Sequence, residues 1–391
     1  MNAQSKPVCD IIIPVWNQPA ATAECLEAIA ANTLYPYRII VVDNGSGEET
    51  VSMLNAFQKA HPGDVTVIRN GENLGFVKAV NQGMKAADGG YVCIMNNDTI
   101  PARGWLSALV DFRDRHNDAG LLNPLCNGHA PRNMTPNEYA DFVSADKEAY
   151  MEMNQCQGFC MLVPREVIDI VGYMDEAFGI GGFDDTDYSM RAHLAGFRSV
   201  SVHSAYVFHS EHKSFDAMGD RKKIQARAEK TYFDKWPRHL RVFQSFRVRA
   251  KTTDAEIKCF LGAAYALARE WCWVNLWIFG GKDASGRVDA VRKAEGFPVH
   301  QNLKFNYPGS RFMGVHALVR IVERCFGRKA RKMYDVAVFE EKEYPVLAGA
   351  AAARKGCAVL RADYAKNNEA RLKGAAAAIR EKERKGKSVE Q

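Results

Sequence analysis

The sequence lacks several features that mark whole classes of protein. Its ten cysteines include no C-x-x-C pair, and several lie inside apolar runs such as residues 91–95. Because disulfide frameworks and zinc sites show regular cysteine spacing, we interpret these cysteines as buried thiols of a reducing compartment. Residues 1–7 are polar and contain no apolar core of a secretory signal. The expected location is cytoplasmic, with the inner face of the membrane as a second position.

A large excess of one charge is also missing. The chain has 52 Lys and Arg against 46 Asp and Glu, and its last 38 residues hold 11 basic and 5 acidic side chains, which accounts for the whole excess of +6. Nucleic-acid-binding proteins carry their basic excess on the folded surface, so no nucleic-acid partner is expected. With 47% hydrophobic and 25% charged residues, the composition excludes a disordered or integral membrane protein.

A long apolar run without charges is missing too. The most apolar segment, residues 257–279, carries Arg269 and Glu270 at its middle. Each of these charges would cost about 2.5–3.5 kcal/mol at the centre of a bilayer. We therefore predict a packed or dimer-forming helix here, and we keep contact with a membrane surface and a true span as alternatives.

The last third of the sequence shows no alternation of strands and helices. We predict a mainly α-helical C-terminal domain at 245–345, followed by a basic helical tail rich in Ala, Lys and Arg at 346–391. The expected role of these helices is a homo-oligomer contact or presentation of an acceptor. We expect the charged residues of the tail to contribute mainly to solubility. The alternative is a weak attraction to anionic lipid, which would give peripheral membrane contact.

In the first half, short β-branched runs alternate with amphipathic stretches, which is typical of a parallel sheet with crossover helices. The predicted strands and helices are Cys9–Val15, Arg38–Val42, Val65–Arg69 and Tyr91–Met95, with Ala21–Asn32, Glu48–Ala60 and Phe76–Ala87 between them. Each predicted strand ends in polar or glycine-rich residues. Since ligands bind outside the carboxyl ends of strands in open α/β sheets, one composite site is predicted there. Residues 123–155 have little periodicity and predict a long loop with a short helix.

Two motifs suggest chemistry at this edge. Asn96-Asn97-Asp98 follows an apolar strand, where an Asp can bind a hard divalent cation, although an Asx-turn is the structural alternative. Further along, Asp184, Asp185 and Asp187 place three carboxylates in four residues, which repel one another unless something compensates them. Asp187 is expected to serve the start of a helix. Either of the other two could be a general base beside a reacting hydroxyl.

These motifs, in this order and spacing, resemble the family 2 glycosyltransferases, inverting enzymes of the α/β GT-A (Rossmann-like) fold, and among them rhamnosyl- and galactofuranosyltransferases. The resemblance rests on residues 11–17, 40–46, 69–83, 95–99, 183–197 and His209, within a domain at 8–240. It implies transfer of a sugar from a UDP- or dTDP-linked donor to a hydroxyl of a glycan, lipid-linked or protein acceptor. It also implies Mn²⁺ or Mg²⁺ as cofactor and work in cell-surface polysaccharide or glycoconjugate biosynthesis.

The resemblance also implies a role for each matching residue. Asp185 is the catalytic base, and Asp98 and His209 hold the metal. The nucleotide-sugar contacts are Pro14, Val15, Asn17, Asp43, Asn73, Gly75, Asn96 and Asn97. The pocket for the donor sugar and the acceptor is lined by Gly158, Phe159, Cys160 and Asp184. Since Asn96 replaces the first acid of the family's D-x-D element, weaker metal affinity is expected.

Two other functions fit parts of the pattern. A sugar nucleotidyltransferase would carry a glycine-rich, basic segment after the first strand, whereas residues 16–19 read Trp-Asn-Gln-Pro. A protein that binds a nucleotide-sugar or glycan without turnover would explain Asn96 as a sign of decay. The presence of Asp98, Asp185 and His209 together argues against that second alternative.

Overall fold

The structure is a computed structural model that describes residues 7–126, 134–210, 221–308, 319, 333–343, 346–354 and 356–387. Two compact units divide the chain, residues 1–235 and residues 236–391. His212, which follows His209 in the sequence, lies outside the described residues.

The first unit alternates strands and helices through its N-terminal half. Its strands are β1 Cys9–Val15, β2 Tyr37–Asp43, β3 Val65–Arg69, β4 Tyr91–Met95, β5 Thr99–Pro101, β6 Ala119–Leu125, β7 Tyr150–Met153, β8 Cys160–Pro164 and β9 Arg198–His209. Its α-helices are α1 Pro19–Asn32, α2 Glu48–Ala60, α3 Phe76–Ala86, α4 Trp105–Arg115, α5 Pro136–Val143, α6 Arg165–Val171, α7 Asp184–Leu194 and α8 Arg221–Lys235, with a 3₁₀ turn at Glu176–Phe178. The predicted bounds of β1, β3, β4 and α2 agree with the structure.

These strands form one mixed sheet in the order β7-β9-β6-β8-β4-β1-β2-β3, and β5 pairs with β9 outside this path. The pairs β1–β2, β1–β4, β2–β3 and β6–β9 are parallel, whereas β8 runs antiparallel to both β4 and β6. The prediction of an α/β unit with a largely parallel sheet flanked by helices is therefore confirmed. For the loop with a short helix that was predicted at 123–155, the short helix is α5, whereas the end of β6 and the strand β7 in this range were not predicted.

The apolar sequences of β1 and β4 explain their central position. Ile11, Ile12 and Ile13 are fully buried, as are Cys93 and Ile94, so both faces of the sheet are covered. A strand that is apolar on both faces is stable only between layers of helices, and burial of this kind contributes about 25 cal/mol per Å² of apolar surface. The polar residues that follow these strands are consequently held on a rigid base.

The second unit is also α/β, so the prediction of a mainly helical C-terminal region is wrong. Its strands are β10 Arg241–Arg247, β11 Trp273–Phe279, β12 Val299–His300, β13 Leu303–Asn306, β14 Val336–Glu340 and β15 Ala358–Ala362. Its helices are α9 Asp254–Arg269, α10 Ala284–Ala294, α11 Val346–Arg354 and α12 Glu369–Lys387, with a 3₁₀ turn at Glu341–Glu343. The strands pair in the order β13-β11-β10-β14-β15, and the four pairs of this order are parallel.

The error arises where a buried helix is followed closely by an apolar strand. Residues 257–279 are apolar almost throughout, so their sequence shows one run instead of two elements with different periods. In the structure α9 ends at Arg269, Trp271 turns the chain with a φ of 58°, and β11 starts at Trp273. The predicted tail is likewise divided, because β15 interrupts it before α12. Within the described ranges, no helix has both the length and the hydrophobicity that crossing a membrane requires.

Candidate active site

A cavity of about 600 Å³ opens in the first unit beyond the carboxyl ends of β1 and β4. Eleven of the residues expected at the site line it: Pro14, Val15, Asn73, Asn96, Asn97, Asp98, Gly158, Phe159, Asp184, Asp185 and His209. They come from segments far apart in the sequence and meet because parallel strands present their carboxyl ends at one edge of a sheet.

Four expected residues lie outside this lining. Three of them, Asn17, Asp43 and Gly75, hold the turns next to the cavity. Asp43 is 2% exposed, and its carboxylate accepts hydrogen bonds from the Ser46 amide at 3.0 Å and from Arg69 at 3.1 Å. Asn17 donates its backbone N–H to the Ser46 hydroxyl at 2.8 Å. These contacts hold the turns after β1 and β2. The expected contact of Asp43 with the nucleotide-sugar therefore stays a prediction.

Gly75 shapes the cavity through its backbone. Its φ is +88°, and a Cβ at this position would lie 2.9 Å from the Gly179 carbonyl oxygen, so no larger residue fits. The side chain of Asn44 ties this turn to the sheet by donating to the Asn73 side chain at 2.8 Å and to the Gly75 carbonyl at 3.2 Å. The result is a fixed start for α3.

Cys160 is the fourth residue outside the lining, and it belongs to the hydrophobic core. It is fully buried on β8, its Sγ lies 3.9 Å from Cys93 Sγ, and burial holds the pKa of the thiol well above its usual value. A protonated thiol in the core offers a substrate no contact, so the expected role of Cys160 in the sugar pocket lacks structural support.

Asp98 and His209 form the charged end of the cavity. The Nε2 atom of His209 lies 3.2 Å from Asp98 Oδ1 and 3.4 Å from Asn96 Nδ2. Pairing of β5 with β9 sets this distance, because Thr99 stands opposite His209 in the antiparallel register and the Ser210 amide donates to the Asp98 carbonyl at 3.0 Å. The ring of Phe159 stacks on the imidazole, with centroids 5.3 Å apart and planes 15° from parallel.

This pair suits a divalent cation that keeps other ligands. An Asp oxygen and a His nitrogen on one wall are donors that Mn²⁺ accepts, and Mg²⁺ prefers the oxygen. Among the described residues, no group of three His, Cys, Asp or Glu side chains could enclose a metal ion. An Asp–His pair fits a cation that is completed by ligand phosphates or water, as in sites that bind a metal together with its nucleotide.

Asp185 lies in the first turn of α7 and lines the same cavity as that pair. Its Oδ2 accepts the Gly158 N–H at 3.1 Å, and its Oδ1 accepts the Thr186 N–H at 2.7 Å and the Thr186 hydroxyl at 3.2 Å. Burial raises the pKa of Asp185, and these hydrogen bonds, which favour the charged form, act in the opposite direction. A half-buried carboxylate fixed by three donors is well placed to take a proton from a bound hydroxyl.

The neighbouring carboxylates have different environments. Burial, and then repulsion from Asp185, raises the pKa of Asp184 to about 7, and the Gly182 amide donates to Asp184 at 2.6 Å. Asp187 is fully buried but paired, with Arg191 at 2.8 Å and Lys235 at 2.7 Å. Asp187 thus takes the structural role expected of it in the first turn of α7.

The cavity also has lining residues that the sequence analysis did not assign: Trp16, Asn44, Phe76, Gln155, Gln157, Ile180, Gly181, Gly182, Phe183, Thr186 and Gln225. Most of them adjoin a predicted motif, so proximity to a strand end or to the carboxylates could have indicated them. Gln225 on α8 has no such signal, because only the fold brings that helix to the cavity. Phe183 is held with a φ of 62°, its ring packed 5.3 Å from that of Tyr232.

Residues 10–171 match the family model described as Glycosyl transferase family 2. An uncharacterized protein of Sinorhizobium fredii, y4gI, is 26% identical over 235 residues, which cover 54% of this chain and 25% of that protein. Glycosyltransferase AglE of Haloferax volcanii is 26% identical over 212 residues, covering 52% of this chain and 67% of AglE. The match therefore spans only a quarter of the first relative.

Two solved structures show a partial likeness. GalNAc-T7, crystallised with UDP, GalNAc and Mn²⁺, gives a TM-score of 0.47 at 18% identity over 59% of this chain and 49% of its own. The mannosyltransferase PcManGT of Pyrobaculum calidifontis, in complex with GDP-Man and Mn²⁺, gives a TM-score of 0.46 at 18% identity, over 90% of this chain and 87% of its own. Likeness at this level says nothing of the donor or the metal of this chain.

Proposed function

We propose that the chain, whose residues 10–171 match the model of Glycosyl transferase family 2, transfers a sugar from a nucleoside diphosphate donor, UDP- or dTDP-linked, to an acceptor hydroxyl with inversion at the anomeric carbon. One observation carries this proposal: the carboxylate of Asp185 and the pair Asp98–His209 line the same cavity. The first can accept a proton, and the second can hold the diphosphate end of a donor.

The chemistry assigned to Asp185 follows from its contacts. In its charged form it takes the proton of the acceptor hydroxyl as that oxygen attacks the anomeric carbon, and the nucleoside diphosphate leaves on the opposite face. The donors from Gly158 and Thr186 fix the carboxylate and leave a lone pair on Oδ2 for the acceptor hydroxyl, since Oδ1 already accepts two hydrogen bonds. Attack from the side of the base inverts the configuration.

The charges of the cavity explain why a cation is proposed. The described lining contains Asp98, Asp184 and Asp185 but no Lys or Arg, and His209 is the one lining side chain that can carry positive charge. A diphosphate would meet repulsion in this surrounding. Asp98 and His209 would hold Mn²⁺ or Mg²⁺, which neutralises charge on the leaving diphosphate when bound.

The acceptor, the pathway and the location remain predictions from the resemblance. We propose a glycan, lipid-linked or protein acceptor in cell-surface glycoconjugate synthesis, at a cytoplasmic or inner-membrane-face location. A homo-oligomer contact through the second unit and peripheral membrane contact belong to the same proposal. Removing residues 236–391 and finding the same oligomeric state and membrane association would contradict both contacts.

The experiment is a donor-hydrolysis screen on the purified chain. UDP-, dTDP- and GDP-sugars are each tested with Mn²⁺, Mg²⁺ or EDTA, for the wild type, Asp185→Asn and the exposed control Asp64→Asn, and released nucleoside diphosphate is measured. We expect one donor to be turned over with metal, to be lost in Asp185→Asn and to be retained in Asp64→Asn. Equal turnover in Asp185→Asn would reject the assigned base, and nucleotide binding without turnover of any donor, with acceptor extract added, would favour the binding protein.

A further inference from the structure

The segment that leads into β8, residues 156–159, touches both functional parts of the cavity; we call it the β8 entry segment. Its Gly158 N–H donates to Asp185 Oδ2 at 3.1 Å. The ring of the next residue, Phe159, stacks on the imidazole of His209, and the Phe159 carbonyl accepts the Asn96 N–H at 2.9 Å. Two adjacent residues therefore contact the base on one side and the cation pair on the other.

One buried side chain on another strand holds this segment. Asn123 lies on β6 and is 3% exposed. Its Nδ2 donates to the Gln157 carbonyl at 2.9 Å and to the Cys160 carbonyl at 2.6 Å, and its Oδ1 accepts the Gln157 N–H at 2.7 Å. The amide thus bonds the backbone on both sides of the Gly158–Phe159 dipeptide and uses both its donor and its acceptor ends.

A second contact joins the segment to the helix of the base. The Ser189 hydroxyl on α7 accepts the Cys156 N–H at 3.0 Å and donates to the Asp185 carbonyl at 2.8 Å. Ser189 is fully buried. This contact reaches only the side of the base, whereas Asn123 holds the backbone on which both Gly158 and Phe159 depend.

We propose that Asn123 is a positioning residue that sets the base Asp185 and the cation pair Asp98–His209 together, through the β8 entry segment. The inference rests on the proposed function but concerns a residue outside the cavity. A base displaced by about 1 Å can cost two orders of magnitude in rate, so a buried amide with three bonds to this backbone has a direct route to catalysis. A side chain that merely filled space would not couple the two parts.

The acidity of the base supplies a readout that simple destabilisation would not move. Loss of the Gly158 hydrogen bond removes a donor to the charged carboxylate, so the pKa of Asp185 rises further and the acid limb of the rate profile moves to higher pH. The titratable groups around Asp185 are Asp184 and Asp187 on α7, Cys156 on the entry segment, and Asp98 and His209 in the lining of the same cavity. Substitution of Asn123 removes none of these titratable groups.

The test compares Asn123→Ala with Asn81→Ala and Ser189→Ala in the full chain. Asn81 is a matched control, because it is also 3% exposed, its amide exchanges two 2.9 Å hydrogen bonds with the Met174 backbone, and neither residue lines the cavity. Each variant is measured for kcat against pH and for binding of Mn²⁺ in the presence of UDP, by the free Mn²⁺ signal in electron paramagnetic resonance.

For Asn123→Ala we expect kcat to fall about 10- to 100-fold, the acid limb to move up by about one pH unit and Mn²⁺ binding to weaken several-fold. For Ser189→Ala we expect the acid limb to move and Mn²⁺ binding to stay unchanged. For Asn81→Ala we expect neither the acid limb nor Mn²⁺ binding to change. A folded Asn123→Ala with the wild-type limb and wild-type Mn²⁺ affinity would overturn the proposal. If Asn123→Ala does not fold, an unmoved limb in Ser189→Ala overturns it. A wild type that binds Mn²⁺ but turns over no donor would reject the proposed function instead, and the Mn²⁺ comparison would still decide the coupling.

Discussion

In both units, polar residues follow the carboxyl ends of parallel strands, but these residues have different roles. In the first unit, the residues after β4 face a cavity, and Asp98 lies beside His209 at one end of it. In the second unit, Glu340 at the end of β14 is 5% exposed and bonds within its own edge, accepting the Arg247 amide at 3.0 Å and the Arg249 side chain at 3.0 Å. A polar strand end thus indicates a site only when its partners leave it facing open space.

The difference predicts a division of effects between the units. Substitutions at the edge of the first sheet should alter turnover with little loss of stability, since their groups face a cavity. Substitutions in the core of the second unit should lower stability and leave the turnover of folded molecules unchanged. Measurements of turnover and stability on variants of both units test this division.

The largest effect is expected for Asp185→Asn. Removing a general base typically costs about 10²–10⁴-fold in kcat, and the amide keeps the size of the side chain. The donor KM should change little, and the unfolding transition should shift little, because the loss of the charge that repels Asp184 offsets the loss of the hydrogen bond from the Gly158 N–H. Turnover and thermal unfolding are measured on the same preparation. A large loss of stability would break the division, since the base would then also support the fold.

The sequence predicted this edge well for a physical reason. In the first half, strands are short, helices are amphipathic, and polar segments separate them, so periods of two and 3.6 residues can be distinguished. Asn96, Asp98 and Asp185 follow such breaks and were found. Asn123 and Gln225 were not, because a buried amide on a strand and a helix brought in by the fold leave no local pattern.

In the second unit the strands and helices could not be predicted from the sequence, because the hydrophobic periodicity that separates them is missing. Residues 260–268 of α9 are buried all round, and β11 follows after a turn of only a few residues. An element covered on every side has no polar face, so its hydrophobic period carries no information. Trp271, a bulky residue in the left-handed region, gives no sequence signal of the turn it makes.

The next effect in size is expected for Phe260→Ala in the core of the second unit. Phe260 is fully buried and stacks on Phe246, with centroids 4.8 Å apart. Replacing such a residue with Ala costs about 3–5 kcal/mol through lost burial and a cavity. Phe142→Ala, at a residue that is 67% exposed, is the matched control and should stay within about 0.5 kcal/mol. Calorimetry of the full chain measures both, and a fall in kcat per folded molecule of Phe260→Ala would contradict the division.

A smaller effect is expected from the titration of Asp184. Its pKa in the folded chain, about 7, lies above the ordinary value of 3.8 in the unfolded chain. The folded state therefore binds more protons between these values, and the free energy of unfolding falls as the pH rises from about 4 to about 7. Asp184→Asn should remove this fall in the free energy of unfolding, which totals on the order of 1–4 kcal/mol over the interval. Urea unfolding at several pH values measures it, and an unchanged slope would show that another group titrates.

The smallest effect is expected for Cys160→Ala, which tests whether the core residue of β8 reaches the cavity at all. Because the thiol is fully buried beside Cys93, its loss should cost about 1 kcal/mol of unfolding free energy and leave the KM values for donor and acceptor unchanged. Cys259→Ala, at a half-buried cysteine of the second unit, controls for removal of a thiol as such. A tenfold change in either KM for Cys160→Ala alone would place the thiol against the substrate, and the boundary between the core and the cavity would then lie one residue further along β8 than the structure has it.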